Sequence, residues 1–123
     1  MTAPFILVVD DNALNAKLLE VILTREGYAV RIASDADSAL ELLKTYRPAL
    51  ILMDVQLPGM SGLELTRLLK QDPAHAGVPI VAVTANAMKG DEAVARAAGC
   101  DDYITKPIDL DHFLLTVERH APK

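Results

Sequence analysis

The sequence predicts an α/β fold in which five parallel strands alternate with five helices. Three uninterrupted apolar runs, residues 5–9, 49–53 and 79–83, have the length and composition of strands that are buried on both faces of a parallel sheet. Segments whose apolar residues recur at helical spacing lie between these runs, and the connections are short. Strand–helix alternation of this kind predicts one parallel sheet with helices on both of its faces.

Length and composition favour a single domain over residues 1–123. Hydrophobic residues make up 51% of the chain, which is enough for a core of its own. No apolar stretch reaches the roughly 20 residues that span a membrane, and no secretory signal is visible. The single cysteine, Cys100, makes a reducing cytoplasm the default expectation. A net charge of −5 without a basic cluster argues against direct binding of nucleic acid.

The first helix follows the first strand directly. Residues 12–25 carry apolar side chains at helical spacing, and Gly27 is a suitable helix stop. The apolar residues at this spacing are Leu14, Leu18, Leu19, Ile22 and Leu23. Residues 28–33 are predicted to form the second strand.

The second and third helices are marked by their caps. Ser34 or Asp35 suits the N-cap of the second helix, which must end before Pro48 because the residue before a proline disfavours the helical conformation. A loop rich in turn-forming residues precedes the third helix. Ser61 and Glu64 have capping-box spacing and open that helix.

The fourth helix, predicted over residues 86–98, has an unusual composition. Its core candidates are Met88, Ala93, Val94, Ala97 and Ala98. Because alanine buries far less area than leucine, we expect this helix to be weakly anchored, which suits an element that moves. Gly99 ends the helix, residues 102–105 form the fifth strand, and Asp109 caps the last helix.

Polar residues stand at the carboxyl ends of the predicted strands. Asp10 and Asp11 follow the first strand, and Asp54 ends the third. Thr84 ends the fourth strand, and Lys106 follows the fifth. Ligands of parallel sheets bind beyond these strand ends, so we expect the groups to share one site. A cluster of acids is costly to bury without a cation, and the sequence therefore predicts Mg²⁺ and a phosphoryl group there.

Asp54 is the candidate nucleophile, because a carboxylate can attack phosphorus and form an acyl phosphate. Asp10 and Asp11 suit Mg²⁺, which prefers hard oxygen ligands. The plainer alternative for all three is a turn or helix cap, and it is their occurrence together that favours the site.

Three further residues have plainer alternatives as well. Lys106 supplies a point charge for a phosphoryl oxygen, and a cis bond to Pro107 would aim it into the site, but a lone lysine is usually a surface residue. Thr84 offers a hydroxyl donor or is an ordinary strand end. Tyr103 is either a packed core aromatic or a side chain that changes position with the state of the site.

Four segments in order make the chain resemble the receiver domain of two-component response regulators from Ile6 to about Arg119. They are Val8–Asn12, Leu52–Gly62, Val83–Met88 and Tyr103–Pro107. Single-domain receivers of the DivK type are the most similar kind, and receivers fused to hybrid histidine kinases look much the same locally. The resemblance implies a flavodoxin-like, doubly wound fold of five strand–helix units, and we expect a receiver domain without an output domain after the last helix.

The resemblance implies that Asp54 takes a phosphoryl group from the phosphohistidine of a histidine kinase or a histidine phosphotransferase. Mg²⁺ would be bound by Asp11 directly, by Asp10 largely through water, by Asp54, and by the backbone carbonyl of Gln56. In this family the position of Gln56 also tunes the lifetime of the phosphoryl group, as does that of Asn86.

The same resemblance assigns the phosphoryl oxygens to Lys106, to the Thr84 hydroxyl and to the backbone at Ala85. Thr84 and Tyr103 would shift together on phosphorylation. The protein would promote its own phosphorylation and dephosphorylation, and would act on a downstream protein through the face of its fourth helix, fifth strand and fifth helix. A weak homodimer on that face is compatible with the sequence.

Three other classes of protein agree less well with the residues at the strand ends. A small phosphatase with an aspartyl nucleophile, as in haloacid-dehalogenase-like proteins, would have Asp-x-Asp at the nucleophile, whereas Gln56 occupies the second position here. A flavodoxin-like cofactor binder would need a phosphate loop rich in Ser, Thr and Gly after the first strand, where Asp10 and Asp11 stand. A structural pseudo-receiver is disfavoured because the acids, Thr84 and Lys106 are all present.

Overall fold

The computed structural model describes residues 5–57, 59–84, 91–105 and 108–121, which form a parallel sheet between two layers of helices. The strands are β1 (Phe5–Val9), β2 (Ala29–Ala33), β3 (Leu50–Asp54), β4 (Ile80–Thr84) and β5 (Asp102–Thr105). The helices are α1 (Ala13–Arg25), α2 (Ala36–Leu43), α3 (Gly62–Gln71), α4 (Asp91–Ala98) and α5 (Leu110–His120). The predicted fold class is confirmed, and every strand begins and ends within one residue of its predicted bounds.

The strand order is β2-β1-β3-β4-β5, and all four pairings are parallel. From β1 the chain therefore moves outward to one edge and then returns across β1 to build the other half from β3. Between β1 and β3 the connecting helices leave to opposite faces, which opens a crevice at the carboxyl ends of these two strands. The fold thus places Asp10 and Asp54, which end neighbouring strands, at the crevice.

Two separate cores hold the helices to the sheet. On one face α2, α3 and α4 pack against side chains such as Leu7 and Met53. On the other face α1 and α5 pack against their neighbours in sequence, such as Val8 and Leu52. The alternation of strand side chains between the two cores explains why these strands are apolar throughout.

The helix starts agree with their predicted caps. Asp35, and not Ser34, is the N-cap of α2, and its carboxylate accepts the N–H of Ser38 at 2.7 Å. The Ser61 hydroxyl accepts the N–H of Glu64 at 3.2 Å at the start of α3. The Asp109 carboxylate accepts the N–H of His112 at 3.2 Å at the start of α5. Gly27 and Gly99 follow α1 and α4 with φ of 94° and 113°, a left-handed conformation that suits glycine at a helix stop.

The predicted inward face of α1 is partly wrong. Leu14 and Leu18 are exposed, Leu14 to 79%, and the buried residues are Ala16, Leu19 and Leu23. The inward stripe of this helix is formed by the three buried residues, which are spaced by three and four positions, and Leu14 and Leu18 lie off it. Leucine spacing alone could not distinguish this rotation from the expected one.

The described part of α4 is anchored by Ala95 and Ala98, both buried. Ala93, Val94 and Ala97 were expected in the core and are exposed, Val94 to 50%. The predicted start of this helix at residue 86, including Met88, lies outside the described residues. Of the predicted core residues in the described part, Ala98 is therefore confirmed, and Ala95 takes the place of Ala93, Val94 and Ala97, so the apolar anchoring of this part is weak.

Candidate functional site

Three carboxylates meet at the crevice between β1 and β3. Asp10 directly follows β1, Asp11 is the next residue, and Asp54 ends β3. One oxygen of each carboxylate lies within 4.8 Å of the other two. Asp10 and Asp54 are buried, exposed to 3% and 8%, whereas Asp11 is exposed to solvent. The acids that the sequence predicted to share a site are brought together.

Main-chain N–H groups orient the two buried carboxylates. Asp10 Oδ1 accepts the N–H of Asn12 at 2.9 Å, and Asp54 Oδ1 accepts the N–H of Gln56 at 3.0 Å. Each bond spans two residues, so the carboxylate closes a local turn and loses rotational freedom. Both acids therefore act as caps of a turn and as members of the cluster, and the two interpretations of the sequence analysis are compatible.

The donor set of the cluster fits a hard divalent cation. Three carboxylates this close repel one another, and a cation between them relieves the repulsion. Exposed Asp11 opens the site to solvent, which suits Mg²⁺ because this ion keeps several of its waters. Carboxylate oxygens with water favour Mg²⁺ over metals that prefer nitrogen or sulfur.

Thr84 ends β4, the strand next to β3, and Tyr103 lies on β5, one strand further out. Thr84 is buried, Tyr103 is half-buried, and both line a cavity of about 140 Å³. The other lining residues come from the loop after β3 and from the third and fourth helices: Val55, Gln56, Leu63, Val94 and Ala95. The cavity thus runs from the loop that follows Asp54 to the weakly anchored helix α4.

The sequence that forms this site matches a known protein family over most of the chain. The model of the response regulator receiver domain matches residues 6–118. The chain belongs to the response regulator receiver domain family. Receiver domains are signalling modules of two-component systems that interact with histidine kinases and with downstream targets. Membership decides against the phosphatase and the flavodoxin-like cofactor binder.

Known receivers resemble the chain over nearly all of its length. The polar-differentiation response regulators DivK of Brucella anthropi and Brucella abortus are each 44% identical over 115 residues, 94% of both chains. The Vibrio cholerae chemotaxis protein CheY4 superposes with a TM-score of 0.89 at 25% identity, over 97% of this chain and 99% of that one. The receiver domain of a Pseudomonas aeruginosa sensor histidine kinase gives 0.88 at 33% identity, over 99% of this chain and 100% of that one, and was solved with a magnesium ion coordinated in its active site cleft.

Four predicted site residues of this receiver lie outside the described residues: Ala85, Asn86, Lys106 and Pro107. Their predicted roles, including the cis bond between the last two, stay predictions. The described part of β5 ends at Thr105, whose Cα pairs with that of Thr84.

Sequence reasoning missed two contributors to the receiver site. The N–H of Asn12 stands two residues after Asp10, and the Asx-turn spacing would have predicted its bond to the carboxylate. Gly62, the first residue of α3, lies against the main chain of Asp54. Nothing local in the sequence indicates that contact, because eight positions separate the two residues.

Proposed function

We propose that this receiver domain is a phosphoacceptor switch in which Asp54 takes a phosphoryl group from a phosphohistidine in a Mg²⁺-dependent reaction. The observation that carries the proposal is the cluster of Asp10, Asp11 and Asp54, with one oxygen of each within 4.8 Å of the others. Its position at the crevice between β1 and β3 is the place where this topology binds ligands.

The residues that would hold Mg²⁺ are Asp11 directly, Asp10 largely through water, Asp54, and the backbone carbonyl of Gln56. When bound, the ion would offset the charge of the attacking and transferred oxygens. The Pseudomonas receiver with magnesium in its cleft supports this assignment.

The transfer forms one bond and breaks one. A carboxylate oxygen of Asp54 attacks phosphorus, the P–N bond of the phosphohistidine breaks, and the imidazole nitrogen keeps the bonding electron pair. Such transfer depends on positioning and charge compensation, and the N–H of Gln56 contributes by holding Asp54 Oδ1 at 3.0 Å. We assign the phosphoryl oxygens to Lys106, to the Thr84 hydroxyl and to the backbone at Ala85.

The acyl phosphate would carry roughly −1.5 to −2 charges where the Asp54 carboxylate carried −1, and it would place them on the phosphoryl oxygens. We expect the Thr84 hydroxyl to donate to this charge and to draw its loop toward Asp54. The cavity of about 140 Å³ lined by Thr84 and Tyr103 gives the tyrosine ring room to follow. Ala95 of α4 lines the same cavity, so the movement reaches a helix with little apolar anchoring.

The face that we propose for the downstream target is made of α4, β5 and α5. Asp102, at the start of β5, links all three elements. Its carboxylate lies 3.6 Å from Arg96 Nη2 of α4 and 3.1 Å from His120 Nε2 of α5. A shift of β5 or α4 would therefore change one continuous surface, which is also the face on which a weak homodimer would form.

We propose a cytoplasmic, stand-alone receiver, which the likeness to DivK supports. The alternative is the receiver of a hybrid histidine kinase, which the likeness to the Pseudomonas kinase receiver supports. An immunoblot of source cells distinguishes them, because a fused receiver would run far above 13.3 kDa. Gln56 and Asn86 are proposed to tune the phosphoryl lifetime.

Incubation with acetyl phosphate, with and without Mg²⁺ and read by intact mass, tests the function. We expect a Mg²⁺-dependent gain of one phosphoryl group, absent in Asp54→Asn and retained in Asp37→Asn, which removes an exposed acid of α2. If acetyl phosphate gives no gain, a phosphohistidine protein donor is the second arm. Failure of both donors with folded protein would reject the proposal in favour of a pseudo-receiver.

A further inference from the structure

The first turn of α3 lies directly against the main chain of the proposed phosphoacceptor. A methyl group built on Gly62 would overlap the carbonyl oxygen of Asp54 and would lie 2.9 Å from its carbonyl carbon. The next nearest atom, Cγ of Met53, would be 3.1 Å away. A backbone carbonyl of a central strand cannot turn aside as a side chain can, so only glycine permits this approach.

Hydrogen bonds make the contact part of a closed loop. The N–H of Gly62 donates to the carbonyl of Val55 at 3.1 Å, so the residue after Asp54 is tied to the start of α3. The N–H of Gln56 donates to Asp54 Oδ1 at 3.0 Å. One hydrogen bond thus ties the residue after Asp54 to the start of α3, and the other ties the loop to the Asp54 carboxylate.

The start of α3 is also held from the helix side. Thr66, which is fully buried, donates its hydroxyl to the carbonyl of Gly62 at 2.8 Å. The Ser61 hydroxyl accepts the N–H of Glu64 at 3.2 Å and fixes the N-terminus. Gly62 therefore lies between a rigid helix start and a central strand.

We propose that Gly62 is a positioning residue for Asp54, and that the Thr66 hydroxyl supports it. This inference rests on the proposed function. Because β3 is paired on both sides, by β1 and β4, a side chain at position 62 would push α3 and the loop away from the strand. Such a shift moves the groups that orient the carboxylate and the Gln56 carbonyl proposed for Mg²⁺.

The test compares Gly62→Ala with Leu69→Ala, which empties a buried position further along the same helix without pressing on Asp54. Far-UV circular dichroism first establishes that both variants are folded. The rate constant of phosphorylation by acetyl phosphate is then measured at saturating Mg²⁺, and the Mg²⁺ dissociation constant is measured by NMR titration. We expect Gly62→Ala to lose about 100-fold in rate, the effect of a displacement near 1 Å, and to bind Mg²⁺ more weakly. Leu69→Ala should lose stability and keep both quantities close to wild type.

A second pair of variants decides the matter if Gly62→Ala does not fold. Thr66→Val removes the hydroxyl that holds the Gly62 carbonyl, and Thr116→Val removes the matching bond in α5, from Thr116 Oγ1 to the carbonyl of His112 at 2.8 Å. We expect only Thr66→Val to slow phosphorylation and weaken Mg²⁺ binding.

Wild-type rate and Mg²⁺ affinity in Gly62→Ala would overturn the inference, as would equal losses in Leu69→Ala. If Gly62→Ala does not fold, equal behaviour of the two threonine variants would overturn it. Failure of the wild type with both phosphoryl donors would instead reject the proposed function, so the two failures are distinguishable.

Discussion

At the scale of single residues, exposure divides the three acids into two kinds. Asp10 and Asp54 are buried and oriented by the N–H groups of Asn12 and Gln56. Asp11 is exposed, yet one of its oxygens lies within 4.8 Å of the other two carboxylates. The carboxylates of the buried pair are therefore held in one orientation, while Asp11 is accessible to solvent and to a hydrated ion.

Replacing Asp11 tests this division. We expect Asp11→Asn to raise the Mg²⁺ dissociation constant by at least about tenfold, because even the groups that support metal ligands are worth that much. Isothermal titration calorimetry at constant ionic strength measures the Mg²⁺ dissociation constant. Asp37→Asn, with the same charge change on an exposed part of α2, should bind as the wild type does. Equal affinities of the two variants would place the ion elsewhere.

At the scale of elements, α4 differs from its neighbours in how it is held. Its described part buries Ala95 and Ala98, whereas α5 buries Phe113 and Val117. Buried apolar area stabilises by about 25 cal/mol per Å², so a helix anchored by alanines opens at lower cost.

Amide hydrogen exchange should reveal this difference. We expect the amides of residues 94–98 to exchange with a lower opening free energy than those of residues 114–120, in the unphosphorylated protein. Mass spectrometry of peptic peptides from the two helices measures both in one sample. Equal protection of α4 and α5 would contradict weak anchoring, and would remove one support of the proposed switch.

Asp102 joins the elements of the proposed target face. Burial by itself raises the pKa of this carboxyl, but the hydrogen bonds from His120 and from the N–H of Tyr103, with the charges of His120 and Arg119, outweigh it and leave the pKa lowered. Arg96 of α4 lies 3.6 Å away, and Arg119 lies 3.3 Å away. The ionised carboxylate is therefore the form that the folded protein favours.

This lowered pKa predicts a pH dependence of stability. In the unfolded chain an aspartate titrates at about 3.9, so ionised Asp102 stabilises the fold above that pH. The contribution is lost as the pH falls through the lowered pKa of the folded state. We expect Asp102→Asn to lose less stability than the wild type between pH 7 and pH 3 in urea unfolding. Equal losses of unfolding free energy in the two proteins would show that the titration of Asp102 contributes nothing to the fall in stability at acid pH.

At the scale of the whole molecule, the topology brings distant parts of the chain to one edge. Asp10 and Asp54 are 44 positions apart in sequence and adjacent in space because β1 pairs with β3. Any ion that binds the three acids binds only the folded chain. Metal binding and global stability are therefore linked.

Mg²⁺ should accordingly stabilise the whole domain. At a hundred times its dissociation constant, we expect the free energy of unfolding to rise by about 2.7 kcal/mol. Urea unfolding with MgCl₂, compared with NaCl at the same ionic strength, measures the increase. Asp11→Asn should lose most of it at the same concentration. An unchanged midpoint in the wild type would show that the folded state does not bind the ion preferentially.

The sequence by itself determined the fold class, the strands and most helix ends, because these depend on local patterns. Apolar runs identify strands that are buried on both faces. The side chains of Asp35, Ser61 and Asp109 cap helices by accepting the N–H of the residue three positions later. Two glycines with a left-handed φ follow the ends of helices. The acids at the strand ends could be grouped from sequence as well, since parallel strands all deliver their carboxyl ends to one edge.

Only the tertiary structure decided which side chains face inward and which main-chain groups touch. Leu14 and Val94 match the apolar pattern and are exposed, whereas the small residues Ala16 and Ala95 of the same helices are buried. The contact of Gly62 with Asp54 likewise depends on how closely α3 approaches β3. Helix rotation and close approach depend on the shape of the surface beneath the helix, which is assembled from strands far apart in the sequence, so no local pattern records them.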